Sequence, residues 1–223
     1  MAASTRGSFV DYKQLNSFSS VVMYNTTPKR RNSKFYSAER IIGRRKRLHG
    51  YEYLIKWEGW PFHSCSWEPS DNLNHALLRS YGMPAKPDGL RLERACRDFV
   101  HAIHSRLKSK SNGSVYANME LVVWRYITFG KGSPAEHKGH TMFENEGFLR
   151  FDGLPENWFY TLNQHGEGIK VKFPMKAKPI VSWTSSTFMS KSGKLEVAPK
   201  IPIEKISISF VKAACNIENI YLK

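Results

Sequence analysis

Between Phe35 and Tyr81 apolar and polar side chains alternate in short blocks separated by glycine and proline. The block "FYSAERIIG", residues 35–43, has the composition of a strand, and "RRKRLHG" after it reads as a hairpin connection closed by Gly50. In the next block a period of two sets Tyr51, Tyr53, Ile55 and Trp57 on one face and Glu52 and Lys56 on the other. "EGWPFHSC" then reads as turn and loop, and "SWEP" as a brief third strand stopped by Pro69. Asn74 is placed to cap the short helix "HALLRSY", which Gly82 and Pro84 end. The pattern predicts three antiparallel strands and a terminal helix in about fifty residues, a small but sufficient folding unit.

After the linker "GMPAKPDG" the period changes. Leu92, Cys96, Phe99, Ile103 and Leu107 recur at steps of three and four, which predicts an amphipathic helix from about Leu90 to Leu107, used for packing. "SKSNGS" breaks it. The runs "MELVVWRYITF", "GFLRF", "NWFYTL", "IKVKF", "PIVSW", "TFMS", "KISISFVKAA" and "NIYL" then alternate with turns. They predict a second, mostly β or α+β unit. The organisation expected is a disordered basic tail over 1–33, a folded module over 34–82, a linker and amphipathic helix over 83–112, and an unrecognised region over 113–223.

Composition changes this picture in one direction. Lys and Arg number 34 against 19 Asp and Glu, a formal net charge of +15, so polyanions are natural partners. Lys29, Arg30 and Arg31, and further on Arg44, Arg45, Lys46 and Arg47, are candidate contacts to DNA or RNA; a solvated charge run is the competing reading. The three cysteines, Cys65, Cys96 and Cys215, are far apart and form no CxxC pair, which points to a reducing compartment. No leader peptide or membrane span is expected.

Chemistry of the catalytic kind is not expected either. "FGKGSP" lacks the spacing of a phosphate-binding loop, and "EHKGHTMFE" contains neither HExxH nor HxxEH. No GxSxG occurs, and no cysteine has a nucleophile's context. The expectation is a non-enzymatic protein without cofactor or metal.

The remaining puzzle is "YEYLIKWEGWPFHSCSWEP", residues 51–69, with three indoles within eleven residues. Large aromatics in so small a unit serve as core or as a recognition surface. The segment "FYSAERIIGRRKRLHGYEYLIKWEGWPFHSCSWEPSDNLNHALLRSY", residues 35–81, resembles a chromodomain of the Polycomb and heterochromatin-protein type. The resemblance rests on an aromatic-x-Ala-Glu-x-Ile strand, Glu-Tyr-Leu-Ile-Lys-Trp, Gly-Trp, Ser-Trp-Glu-Pro and Asn-Leu, in order.

That resemblance implies an α+β fold, a three-stranded antiparallel curved sheet with a C-terminal helix. It implies a methyl-lysine cage of Tyr36, Trp57 and Trp60, with Gly59 turning the chain between the indoles and Trp67 packing the sheet against the helix. It further implies that a methylated histone tail lies as an added strand between Phe35–Ala38 and the stretch around Asn72 to Asn74, touching Phe35, Ser37, Ala38, Glu68, Asn72 and Asn74. Ser64 or Cys65 stands where the heterochromatin subgroup often has a carboxylate, and the chain before Tyr36 is basic where that subgroup is acidic. The expected role is a nuclear, non-catalytic chromatin reader that binds a methylated histone tail and brings its second unit to chromatin, with no protein partner of the C-terminal region named by the sequence. The alternative is a basic nucleic-acid-binding or retroelement-derived tether with little methyl-lysine selectivity.

Overall fold

The computed structural model describes residues 21–22, 36–151, 153–155 and 157–218. The chain divides into two compact units, Met1–Gly82 and Met83–Lys223. The first is built on an antiparallel sheet in the order β1-β2-β3-β4. Its strands are β1 (Val21–Val22), β2 (Tyr36–Arg47), β3 (Gly50–Trp57) and β4 (Ser66–Pro69), and helix α1 (His75–Gly82) follows.

β2 continues through the arginines that the sequence pattern assigned to a connection. Arg44 pairs with Tyr53, Arg45 with Glu52 and Lys46 with Tyr51, so the reversal is confined to Leu48 and His49 before Gly50. Two register shifts in β2, between Ala38 and Arg40 and between Ile41 and Gly43, bend the strand.

One face of the sheet forms the small core. Ala38, Ile41, Tyr53, Ile55 and Trp57 pack with Leu73 and Leu77, and the Tyr53 ring meets Tyr81 of α1 edge-on at 5.5 Å. Asn74 caps α1: its Oδ1 accepts from Leu77 N at 2.7 Å. Trp67 is not part of this helix-facing core. It pairs with Leu54 on the opposite face, and the Arg45 guanidinium covers its ring at 4.1 Å. Strand alternation forces this, because Leu54 and Trp67 share a face that Tyr53 and Ile55 do not.

The second unit packs helix α2 (Gly89–Lys108) against a sheet. Asp88 caps α2 by accepting from Arg91 N at 2.9 Å, and the buried positions include Leu92, Cys96, Phe99, Ile103 and Leu107. The sheet comprises β5 (Val115–Asn118), β6 (Ser133–Pro134), β7 (Thr141–Phe143), β8 (Phe159–Thr161), β9 (Glu167–Trp183) and β12 (Pro202–Asn216). Its order is β5-β12-β9-β7-β6, with β8 also on β9. A separate hairpin joins β10 (Phe188–Lys191) to β11 (Lys194–Val197).

Within the run "MELVVWRYITF" lies helix α3 (Leu121–Ile127). Tertiary contacts decide this against the β-branched composition. Glu204, buried in β12, accepts from Leu121 N at 2.7 Å, satisfying a donor at the helix start. The runs "IKVKF" and "PIVSW" are a single strand, β9, because β12 pairs with it along nearly its whole length.

Candidate functional site

Three backbone features bring Tyr36, Trp57 and Trp60 together. Tyr36 opens β2, Trp57 ends β3, and Gly59 at φ 72° turns the chain so that Trp60 comes back toward both. Glu58 N donates to Ser37 O at 3.0 Å and Trp60 N to Trp57 O at 3.3 Å, which ties the turn to β2. The Tyr36 ring centroid lies 6.2 Å from each indole, with interplanar angles of 67° to Trp57 and 77° to Trp60.

These rings, with Ser64 and Ser66, line an open cleft of about 260 Å³. Exposure is graded from floor to rim: Trp57 6%, Tyr36 36%, Trp60 50%. The floor is held in place from behind. Trp57 Nε1 donates to Ser66 Oγ at 3.1 Å, and Ser66 Oγ donates to Glu68 Oε1 at 2.5 Å. Ser66 was not singled out in the sequence, where only its place in "SWEP" two residues before Glu68 marks it. Aromatic rings grouped around an open cleft favour a weakly hydrated cation. No carboxylate is among the described residues that line it.

The residues expected to hold a peptide divide by environment. Ser37 is half-buried, and Ala38 is 3% exposed and part of the core. Glu68 is buried, bonded to Ser66, with Asn72 Nδ2 at 3.5 Å from its other oxygen. Asn74 serves the helix cap already described. Along the outer edge of β2, Val21 pairs with Ser37 and Val22 with Tyr36, so a segment of this chain is hydrogen-bonded where an added strand was expected. Phe35 lies outside the described residues, as do Lys29, Arg30, Arg31 and the rest of the 1–33 tail apart from Val21–Val22.

The second basic cluster is partly neutralised. Arg45 and Arg47 both bond Glu52, at 2.6 and 3.0 Å, and Arg44 lies over the Tyr51 ring at 4.4 Å. Hydrogen bonds from Arg47 and then Arg45 hold the Glu52 carboxyl below its ordinary pKa. Lys46 is exposed.

Lys56, 6% exposed, donates to Glu39 and to Trp57 O, each at 2.8 Å, so its charge is used internally. His137 and His140 stand 6.1 Å apart, and no group of three metal-ligating side chains occurs among the described residues.

Residues 36–82 match the family model for the Chromo (CHRromatin Organisation MOdifier) domain. The chain is similar to Chromobox protein homolog hpl-1 of Caenorhabditis elegans, 31% identical over 31% of this chain and 36% of that protein. It is similar to Heterochromatin protein 1 of Drosophila melanogaster, 39% identical over 24% of this chain and 26% of that one. With Chromobox protein homolog 6 of Mus musculus the identity is 45% over 20% of this chain and 11% of the other. The matches therefore span at most about a third of these relatives' own length. No solved structure matches the chain at comparable significance. In order and spacing of strands, in helix position and in family match, residues 36–82 are a chromo domain.

Proposed function

We propose that this protein is a nuclear, non-catalytic chromatin reader that takes a methylated lysine of a histone tail into the Tyr36, Trp57 and Trp60 cleft. The observation that carries the reading is the graded aromatic cleft itself, two rings set edge-on to a third around an opening of side-chain size. A trimethylammonium group gives up little hydration, and each ring face it meets is worth roughly 0.5–2 kcal/mol. Because serines rather than a carboxylate line the cleft, the N–H of a monomethylated lysine finds no charged acceptor there, and trimethyllysine is the preferred state.

The tail reaches the cleft as a strand added to β2 at Tyr36–Ala38, where main-chain hydrogen bonds carry affinity. The pairing of Val21–Val22 with that edge supports its capacity to accept a strand, and makes β1 a competitor for the tail.

The test is a calorimetric or anisotropy titration of the whole chain with trimethylated, monomethylated and unmodified histone-tail peptides. Binding is expected to fall in that order. Equal binding of trimethylated and unmodified peptides would refute the reading and favour a tether that ignores methylation.

A further inference from the structure

The second unit carries a row of lysines that its fold does not use. Along β9 the alternation of the strand sends Val171, Met175 and Ala177 into the core and Lys170, Lys172, Lys176 and Lys178 to the opposite face. In β12 the same rule sends Ile206 and Ile208 inward and Lys205 outward. Paired residues in an antiparallel sheet share a face, so the partners of these lysines are their immediate neighbours.

Those partners are uncharged. Lys170 pairs with Ala213 and Phe159, Lys172 with Val211, Lys176 with Ser209 and Met142, and Lys178 with Ser207. Lys205 pairs with Ile180 and Asn118, and its Nζ lies 4.7 Å from the centroid of the Tyr116 ring, itself 53% exposed on β5. None of these five lysines has an ion-pair partner among the described residues. The acidic residues of the two strands are occupied elsewhere: Glu167 accepts from Asn163, and Glu204 is buried against the start of α3. Glu136, Glu144 and Glu146, in the neighbouring loops, form no ion pair with the row.

Lysines on sheets often guard an exposed edge, but β9 is an interior strand, with β12 on one side and β7 and β8 on the other. Lys170 and Lys172, and Lys176 and Lys178, are two positions apart on one face, about 7 Å at the rise of a strand, so their charges repel one another until an anion meets them. Lys170 pairs with Ala213 and Lys178 with Ser207, six residues apart on β12, so the row extends for about 20 Å, with a register shift between Lys172 and Lys176. These lysines occupy successive outward positions along one strand, so their charges follow a line, which suits a linear polyanion and not a single small anion. Lysine, a hydrated point charge without a fixed fork, suits repeated phosphates contacted without regard to sequence.

We propose that this face, Lys170, Lys172, Lys176, Lys178 and Lys205 with Tyr116, binds the phosphate backbone of nucleic acid. Tyr116 offers a ring on which an unpaired base can stack, so duplex DNA and single-stranded RNA share the lysine contacts and differ at that ring. The site is independent of the aromatic cleft.

The experiment is fluorescence anisotropy with the whole chain and labelled duplex DNA or single-stranded RNA of about 20 nucleotides per strand, between about 50 and 200 mM salt. Five phosphate contacts to a duplex contribute about −4.5 to the slope of log K against log salt, or roughly a 500-fold loss across that range. The variant K170Q/K172Q/K176Q/K178Q/K205Q is expected to lose about that much of the slope on duplex DNA and at least about tenfold in affinity near 100 mM salt. The corresponding Lys→Arg variant is expected to retain both. Tyr116→Ala weakens the RNA arm alone.

An unchanged slope and affinity in a Lys→Gln variant with native circular dichroism would overturn the proposal. So would equal competition by a polyglutamate peptide of matched charge, which would assign the face to acidic protein. If the fivefold variant does not fold, K170Q/K172Q, at the two most exposed positions, reads the same effect as a slope change of about 1.8.

Discussion

The two units assemble aromatic rings in opposite ways. In the second unit Phe99 sits within 6.1 Å, centroid to centroid, of Trp124, Phe148, Phe151 and Trp158, and all five are at most 4% exposed. In the chromo domain Tyr36 stands 6.2 Å from Trp57 and from Trp60, but half of Trp60 is open to solvent. Ring separations are similar, so proximity does not separate a core from a recognition site. The difference is the layer above the rings. Helix α2 closes the Phe99 cluster against the sheet, whereas the Gly59 turn brings Trp60 to the rim of a cleft that remains open.

Substitutions in the two clusters test this contrast directly. Phe99→Ala removes a ring from a closed core and is expected to cost about 3–5 kcal/mol in the stability of the second unit, read by denaturant unfolding, with peptide binding by the chromo domain unchanged. Trp60→Ala is expected to do the reverse. Trimethyllysine affinity falls about 5–30-fold, equivalent to about 1–2 kcal/mol, while the unfolding midpoint moves little. A large loss of stability from Trp60→Ala would make the cleft a piece of core.

Smaller effects refine the picture of each unit. Asn74→Ala removes the α1 cap and is expected to lower chromo-domain stability by about 1 kcal/mol, with peptide affinity changed only as far as the helix frays. Removing residues 1–30 takes away β1. If β1 occupies the β2 edge about half the time, peptide affinity rises on the order of twofold, and an unchanged affinity would mean that tail and β1 do not compete.

The smallest change belongs to His104 of α2. Burial first, then the charges of Lys108 and His101, lower its pKa from the ordinary 6.5. The unfolded chain therefore takes up this proton at a higher pH than the folded one, so second-unit stability declines as pH falls below about 6.5 toward the lowered folded value. His104→Gln should flatten that decline, measured as unfolding midpoints at about pH 7.5 and 5.5.

How far the sequence could be read differs between the units for a physical reason. The chromo domain is held by contacts close in sequence: β2 pairs with β3 across two residues, Gly59 sits between the indoles it brings together, and Asn74 adjoins the helix it caps. The second unit depends on β12 pairing with β9 and β5 and on Glu204 reaching Leu121 from a distance of 83 residues. Such pairings leave no trace in local periodicity, so α3 lay hidden in a β-branched run. Trp67 was misassigned for a related reason: a family pattern names the position, and only register against Leu54 tells which face it takes.

By itself the sequence determined the local elements: the alternation of residues 51–57, the amphipathic spacing from Leu92 to Leu107, and the glycine that had to lie between Trp57 and Trp60. These depend on neighbours a few residues apart, where backbone sterics and side-chain period act directly. Tertiary structure alone decided that Val21–Val22 lies on the β2 edge and that the runs "IKVKF" and "PIVSW" join into one interior strand, aligning Lys170 to Lys178 on one face. Register between distant strands fixes both, because a shift of a single residue would turn every side chain to the other side.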